Sequence, residues 1–344
     1  MGLGMPNYPK VGILCPIEFN LPPDKYGPWE LVCYNLAEAL VQLGVDVTVY
    51  ATKKAQTVAR VEYIWDQPIE NMPYANRSAL TTIHIIDALK KAKSVDIIHN
   101  SLNIHPVLYA DLIDKPMITT LHGAACEQFN HDYYEYLKDR NFISISNTER
   151  DFYPSLNYLD TVYNGVDFNQ YGLKSGKNSY LFFSGRLVKE KGILTAIEIS
   201  QKTNIPLIIA GVVTDQQFFD QFVLPHVDNK LIKCLGHLQA AKLYELLRDA
   251  LALVALVEWN EPFGLSILDA LATGVPVIGS AMGSLPELIY DQQMGMIVNN
   301  VDEAVARMGE MYTKDPTVCR EGARAKFSRE AMAQRYLENY LKVV

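Results

Sequence analysis

The sequence lacks the features that mark several common classes of protein. Its five cysteines are odd in number and scattered, with no C-x-x-C pair, so neither a disulfide framework nor a zinc site is expected. The formal net charge is −8, and no stretch gathers the lysine and arginine stripe that phosphate backbones require, so nucleic acid is not an expected partner. No apolar run approaches membrane-spanning length, and no secretory leader pattern precedes the first predicted strand. We therefore expect a cytoplasmic enzyme.

What the sequence does contain is a repeated alternation of strands and helices. In both halves, short β-branched runs alternate with segments of helical period, and most of the runs are apolar throughout, as parallel strands covered on both faces are. The runs that predict strands cover residues 11–15, 45–50, 96–99, 116–121, 142–146 and 161–163, and then 180–183, 206–210, 232–235, 251–257 and 276–279. This pattern predicts an α/β protein with two doubly wound parallel sheets.

The 344 residues fit two domains of about 150–200 residues each. A polar passage with glycine and lysine at 171–179 is typical of a linker. We predict an N-terminal Rossmann-like domain at 1–170, a C-terminal one at 171–328, and a closing helix at 329–344 that packs back on the first domain. Doubly wound sheets bind ligands at the carboxyl ends of their strands, so the functional residues are expected in loops that face a cleft between the domains.

The most informative segment, 259–278, follows a predicted strand. Pro262 favours a helix start there, and the first backbone N–H groups of that helix would form an anion site strengthened by the helix dipole. The groups concerned are those of Phe263, Gly264 and Leu265. Glu261 lies at the mouth of this site and Asp269 about two turns later, so one carboxylate can reach a sugar and the other a ribose. The alternative is an acidic cap on an ordinary amphipathic helix.

A second segment follows the first strand of the C-terminal domain. It contains Gly185-Arg186 and then Lys191-Gly192, and two cations beside a glycine turn suit a diphosphate leaving group. The alternative is a solvated basic turn, because lysine and glutamate in alternation, as at 189–191, are typical of surfaces.

Two residues of the N-terminal domain are further candidates. Gly27 precedes the first long helix in a loop that could line a ligand site, although Pro28 lacks the N–H that would contact a phosphate. His122 ends a predicted strand, which directs its imidazole toward the cleft. A plain helix-start loop is the alternative for Gly27, and a structural histidine is the alternative for His122. His99, on another strand, is equally consistent with a buttress of the sheet.

These motifs resemble glycosyltransferase family 4, whose members are retaining enzymes with the GT-B fold of two Rossmann-like domains. The family's Glu-x7-Glu signature matches Glu261 and, with a shorter acid in place of the second glutamate, Asp269. Its Gly-Arg and Lys-Gly pairs match residues 185–192. Its glycine-rich loop matches Gly27, with Pro28 in place of the second glycine.

The resemblance implies a role for each matching residue. Arg186 and Lys191 would bind the donor phosphates, Glu261 the hydroxyls of the donor sugar and Asp269 the ribose. His122 would contact the same sugar. The donor phosphate itself would take the acceptor proton, and neither a cofactor nor an essential metal is expected.

The function implied is transfer of a hexose from a UDP-, GDP- or ADP-linked sugar to a hydroxyl of a saccharide, lipid or small molecule, with retention at the anomeric carbon. The donor base is expected to contact loops at 211–214 and 235–238. Two alternatives remain open. One is a sugar-nucleotide epimerase of GT-B fold, and the other is a non-catalytic sugar-nucleotide binding protein, because Asp269 and Pro28 both depart from the family pattern.

Overall fold

A computed structural model describes residues 8–24, 27–123 and 131–344. The chain divides into two compact units. Unit 1 comprises Met1–Gly165 and Arg329–Val344, and unit 2 comprises Val166–Ser328. The division lies between residues 165 and 166, not between 170 and 171. The last helix belongs to the same unit as the N-terminal sheet.

In the described part of unit 1, seven strands form one sheet in the order β3-β2-β1-β4-β5-β6-β7, and every pair is parallel. The strands are β1 Val11–Leu14, β2 Val47–Ala51, β3 Arg60–Tyr63, β4 Ile97–Asn100, β5 Met117–Leu121, β6 Asn141–Ser144 and β7 Tyr158–Thr161. β1, β2, β4 and β5 are buried along their whole length, which explains their continuous apolar sequence.

Four helices within the described residues of this N-terminal segment flank the sheet. They are α1 Pro28–Gln42, α2 Tyr74–Lys91, α3 His131–Leu137 and α4 Asn147–Phe152. α1 begins with Pro28 in the first turn and ends before Gly44, whose φ is +87°, as proline and glycine at these positions favour. Apolar residues at helical spacing form its buried face, because Val32, Leu36 and Leu40 are all at most 4% exposed.

In unit 2, the described strands form a second parallel sheet in the order β10-β9-β8-β11-β12-β13. The strands are β8 Leu181–Ser184, β9 Leu207–Ala210, β10 Ile232–Cys234, β11 Ala252–Ala255, β12 Val277–Ser280 and β13 Gly295–Val298. The helices are α5 Ile193–Thr203, α6 Gln216–Phe218, α7 Ala240–Leu247, α8 Leu265–Thr273, α9 Leu285–Leu288, α10 Val301–Ala306 and α11 Pro316–Phe327. Two doubly wound sheets confirm the predicted fold class.

The closing helix, α12 Arg329–Val343, packs within unit 1. Its Tyr336 and Tyr340 hydroxyls contact Thr120 Oγ1 and His99 Nδ1, each at 2.8 Å. Burial lowers the pKa of His99 to about 3, so this imidazole is neutral and braces the sheet. Among the described helices, none has the length and apolar character needed to cross a bilayer.

The passage predicted as a linker, 171–179, is tied to unit 2. Lys174 N–H donates to the Thr273 carbonyl and Ser175 N–H to the Arg248 carbonyl, both at 2.7 Å. The Lys174 ammonium is buried and donates to the Leu251 carbonyl at 2.9 Å. The polar composition therefore reflects hydrogen bonding within a domain, and the prediction of a linker at 171–179 is wrong, because these residues lie inside unit 2.

Candidate active site

The sheet of unit 2 reverses its winding between β8 and β11. β8 pairs with β9 on one side and with β11 on the other, so the connections after β8 and β11 diverge and leave a crevice at the carboxyl ends of these strands. The two loops touch, because Glu258 N–H donates to the Glu190 carbonyl at 2.9 Å. Both predicted motifs of the C-terminal domain thus lie at the position where open α/β sheets bind ligands.

At this crevice the structure brings Lys191 and Glu261 together. The Lys191 ammonium forms a salt bridge with Glu261 Oε2, and the side chains are only 19% and 9% exposed. Trp259 completes the group. Its Nε1–H donates to the same oxygen at 3.0 Å, and its ring centroid lies 4.8 Å from the Lys191 ammonium, within range of a cation–π interaction. The cation and the acid that were predicted to bind separate parts of one ligand are therefore in contact with each other.

Glycine makes the close packing around Glu261 feasible. Gly283 has φ +57°, and a Cβ at this position would lie 2.3 Å from the Glu261 nitrogen and 2.4 Å from its carbonyl oxygen. The next residue, Ser284, donates its N–H to the Glu261 carbonyl at 2.9 Å and its hydroxyl to the Phe263 carbonyl at 2.7 Å. The loop that carries Glu261 is thus held by direct backbone contact.

The helix after Glu261 starts later than predicted. α8 begins at Leu265, with Gly264 as its N-cap at φ +92°. Pro262 and Glu261 consequently lie in the loop, so the prediction of Pro262 at the helix start is wrong, and Glu261 does not share a helical face with Asp269. No side chain of the described residues caps α8, and of the three predicted N–H groups only that of Leu265 belongs to the helix proper.

Arg186 lies on the other loop of the crevice. Its guanidinium is 3.7 Å from Glu190 Oε1, and the side chains are 37% and 42% exposed. Exposed pairs of this length contribute about 0–1 kcal/mol, so an anionic ligand can compete for the guanidinium at little cost. Lys189, between them in sequence, is exposed.

Asp269, on the second turn of α8, is half-buried and accepts a hydrogen bond from the Tyr171 hydroxyl at 2.7 Å. The Tyr171 and Tyr244 hydroxyls are 3.2 Å apart. Burial raises the pKa of Asp269 to about 6, an effect that the Tyr171 hydrogen bond opposes. This acid is therefore ionised at neutral pH, but by a narrow margin.

In unit 1, His122 is buried and stacks on Trp29, with ring centroids 5.7 Å apart and 25° between the planes. The backbone N–H of His122 donates to Asn103 Oδ1 at 2.8 Å. The next N–H, of Gly123, donates to the buried Glu149 carboxylate at 2.7 Å. Burial lowers the pKa of His122 to about 4, and its Nε2 has no hydrogen-bond partner among the described residues. The imidazole is therefore neutral.

Gly27 is the N-cap of α1, with φ +150°. A Cβ here would lie 2.7 Å from the Pro23 Cβ, so glycine is required sterically. The first-turn acid, Glu30, turns back and accepts the Phe19 N–H at 3.1 Å, and burial raises its pKa to about 7. Tyr26, which the sequence motif also contained, lies outside the described residues.

Two family models match successive parts of the chain. The model described as "Glycosyltransferase Family 4" matches residues 30–170, and that described as "Glycosyl transferases group 1" matches residues 167–332. The chain belongs to glycosyltransferase family 4. The family predicted from the motifs is thus confirmed.

Similar proteins support this family 4 assignment. A glycogen synthase of Mycobacterium tuberculosis is 29% identical over 257 residues, which are 66% of this chain and 62% of the relative. A trehalose synthase of Pyrococcus horikoshii is 27% identical over 45% of this chain and 40% of its own length. The chain therefore matches less than two thirds of the length of these curated relatives.

Solved structures share the GT-B fold. Sucrose-phosphate synthase from Thermosynechococcus elongatus superposes with a TM-score of 0.77 at 18% identity, covering 97% of this chain and 98% of the other. Anabaena HepE in complex with UDP and glucose gives 0.73 at 17% identity, covering 98% and 100%. Because both structures are less than 25% identical to this chain, the likeness shows a shared fold alone.

Three side chains of this family 4 chain that the motifs did not predict lie close to the predicted acids. Trp259 stood in the motif without a role, although it contacts both Lys191 and Glu261. Tyr171 and Tyr244 gave no local signal, because Tyr171 is 98 residues from Asp269 in sequence. Only the fold brings that pair together. Among the described residues, no cluster of three or more potential metal ligands occurs.

Proposed function

We propose that this family 4 chain transfers a hexose from a nucleoside diphosphate sugar to an acceptor hydroxyl, with retention at the anomeric carbon. The observation that carries the proposal is the meeting of Lys191, Glu261 and Trp259 at the crevice between β8 and β11. Such crevices bind nucleotides in open α/β sheets. A UDP-linked donor is the first to test, because HepE, of the same fold, is described in complex with UDP and glucose.

The cations would bind the diphosphate. Lys191 is partly buried, and Arg186 is held only by an exposed pair, so each can exchange a carboxylate for a phosphate. The start of α8 offers backbone N–H groups and the positive end of the helix dipole. Charge develops on the departing diphosphate as the glycosidic bond breaks, and fixed cations stabilise that charge without reorganisation.

The acids would bind hydroxyls. Glu261 releases Lys191 to the diphosphate and accepts hydrogen bonds from the donor sugar, while Asp269 accepts from the ribose. The neutral His122, whose Nε2 has no hydrogen-bond partner within the part of the chain that the structure describes, is proposed to contact the donor sugar. The donor phosphate takes the proton of the acceptor hydroxyl, and Arg186, Lys191 and the start of α8 compensate the charge of the leaving diphosphate, the part that a metal would otherwise take.

The first experiment is a thermal-shift screen with UDP-, GDP- and ADP-linked hexoses, because a ligand that binds the native state raises the melting temperature by mass action. The donor found is then incubated with saccharide, lipid and small-molecule alcohols, and the anomeric configuration of the product is determined by NMR. We expect a glycoside that retains the donor configuration. Interconversion of the free donor without acceptor would instead favour an epimerase, and binding without turnover would favour a non-catalytic protein.

The site assignment is tested in the same assays with Arg186→Ala. Loss of a charge-assisted hydrogen bond costs about 1.5–3 kcal/mol, which is roughly 10- to 150-fold in kcat/KM. Lys189→Ala is the matched control, because this lysine is exposed on the same turn, and it should behave as wild type. Equal effects of the two substitutions would contradict the assignment of Arg186.

A further inference from the structure

Two tyrosines, Tyr171 and Tyr244, lie beside Asp269. The Tyr171 and Tyr244 rings lie 4.2 Å apart at 40°. The Tyr171 hydroxyl donates to Asp269 Oδ1 at 2.7 Å, and a hydroxyl carries only one hydrogen. The same hydroxyl is the donor in the 3.2 Å contact with the Tyr244 hydroxyl, so its one hydrogen is shared between two acceptors. The shorter of the two contacts, at 2.7 Å, is the one to the carboxylate.

Tyr171, which donates to Asp269, is held in place through its backbone. The Arg320 guanidinium contacts the carbonyl oxygens of Phe168 and Tyr171 and also that of Ala272 at the end of α8. Tyr171 is thereby joined to the same helix that carries Asp269. Tyr171 is only 5% exposed, so packing sets the rotamer of its side chain.

One oxygen of Asp269 remains for a ligand. Among the described residues, Tyr171 is the one donor found on this carboxylate, and it occupies Oδ1. A carboxylate has no hydrogen to give, so Oδ2 can only accept. Hydroxyl groups of a ribose are donors of this kind. Aspartate has one methylene fewer than glutamate, and a bond to one oxygen fixes the direction of the other.

We propose that Tyr171 is a positioning residue for the donor nucleoside, which fixes Asp269 through Oδ1 so that Oδ2 accepts from a ribose hydroxyl of the nucleoside diphosphate. The inference rests on the proposed function, which assigns the ribose to Asp269. Tyr171 itself does not touch the ligand. Its role differs from that of a packing residue, because it acts on the charge and direction of one carboxylate.

The charge of Asp269 gives the proposal a pH signature. α8 has no other titratable side chain. The acid is faced by Tyr171 and by Tyr244, of which the second belongs to α7. Arg320 of α11 is bound to carbonyl oxygens nearby. Burial raises the pKa of Asp269 to about 6 and the Tyr171 hydrogen bond lowers it. Nucleotide affinity should accordingly be complete above this pKa and fall as the pH drops through it.

The experiment measures binding of UDP, GDP and ADP by titration calorimetry between pH 5 and 8, with the full chain. The variants are Tyr171→Phe, Asp269→Asn and Tyr290→Phe. Tyr290 donates its hydroxyl to the Gly322 carbonyl at 2.8 Å elsewhere in unit 2, so it is a matched loss of one tyrosine hydrogen bond. In Asp269→Asn the carboxylate is absent, so the pH dependence of affinity that remains comes from titration of the nucleotide itself. This dependence is subtracted from the affinity profiles of the other variants.

We expect the acid inflection of affinity to lie higher in Tyr171→Phe than in wild type by roughly 0.5–1 pH unit, because a lost hydrogen bond of about 1 kcal/mol corresponds to such a shift. Tyr290→Phe should keep the wild-type profile. An unchanged inflection in Tyr171→Phe, with wild type binding normally, would overturn the inference and leave the proposed function intact. A wild-type chain that binds none of the three nucleotides would overturn the proposed function and, with it, the inference.

Discussion

Replacing Glu261 by glutamine should release Lys191 for a diphosphate while keeping the shape of the site. The side chains of the pair are 19% and 9% exposed, so it lies between exposed pairs, which contribute about 0–1 kcal/mol, and buried pairs, whose disruption costs about 3–5 kcal/mol. We take about 1–2 kcal/mol, which is roughly 5- to 30-fold in an equilibrium constant. Glutamine still accepts the Trp259 N–H, now 3.0 Å from Oε2. A nucleoside diphosphate should therefore bind about 5- to 30-fold more tightly to Glu261→Gln.

Transfer should move in the opposite direction. The neutral amide binds sugar hydroxyls more weakly than a carboxylate does, and this contact is proposed to strengthen as the sugar gains positive charge. We expect kcat to fall by about 100-fold. Calorimetry with UDP, GDP and ADP gives the affinity, and initial rates with the matching donor give kcat. Opposite changes in affinity and rate distinguish a released cation from a damaged site.

Glu245→Gln is the matched control, because Glu245 pairs with Lys242 at 2.8 Å with side chains 53% and 65% exposed. It should alter neither quantity. The gain in affinity for Glu261→Gln should also shrink as salt rises, since added ions screen the attraction between Lys191 and the diphosphate. Weaker diphosphate binding in Glu261→Gln at low salt would refute the competition between carboxylate and phosphate for Lys191.

Further predictions concern stability. In Gly192→Ala, at φ +74°, the new Cβ would lie 2.0 Å from the Leu256 carbonyl oxygen, and urea titrations should show a free energy of unfolding lower by about 2–5 kcal/mol. In Gly176→Ala, at φ +80°, no atom lies within 4 Å of the new Cβ, so the loss should be only about 1–2 kcal/mol. Equal losses in the two variants would contradict the steric explanation. Burial lowers the pKa of His84 to about 4, so the unfolded state binds a proton that the folded state does not, and stability should fall by up to about 1.4 kcal/mol per pH unit below pH 6.5. Urea titrations at pH 7.5, 6.0 and 5.0 should show that His84→Gln removes this part of the pH dependence of the free energy of unfolding. The control is His226→Gln, at an exposed position, which should keep the wild-type dependence. An unchanged dependence in His84→Gln would count against the lowered pKa of His84.

Most strands with a continuous apolar sequence could be located from the sequence, although β13, which is apolar and largely buried, was missed. The predicted run 116–121 differs by one residue from β5, which is buried along its length. β3 was missed, because it is an edge strand in which Arg60 and Tyr63 are exposed, so no apolar run marks it. β7 was placed at 161–163 instead of Tyr158–Thr161, since its four residues are only partly buried and carry little periodic signal.

The site could be predicted where its residues are close in sequence. The motif contained Glu261, Gly264 and Asp269 in one segment, and chain order alone placed them after a strand. The contact between Lys191 and Glu261 joins residues 70 positions apart, so the sequence could assign each a ligand but could not pair them. The same holds for Tyr171, which stood in a passage whose composition is typical of a linker.

The two departures from the family pattern differ in their physical consequences. Pro28 removes one backbone N–H at the start of α1, and no neighbouring group can restore a hydrogen atom that proline does not have. Asp269 has one methylene fewer than the glutamate of the family pattern but keeps the carboxylate, and the Tyr171 hydroxyl donates to that carboxylate at 2.7 Å. A shortened acid with a fixed partner retains a directed acceptor. Any change in donor binding that traces to Asp269 should therefore depend on Tyr171 and on pH, whereas a change that traces to Pro28 should depend on neither.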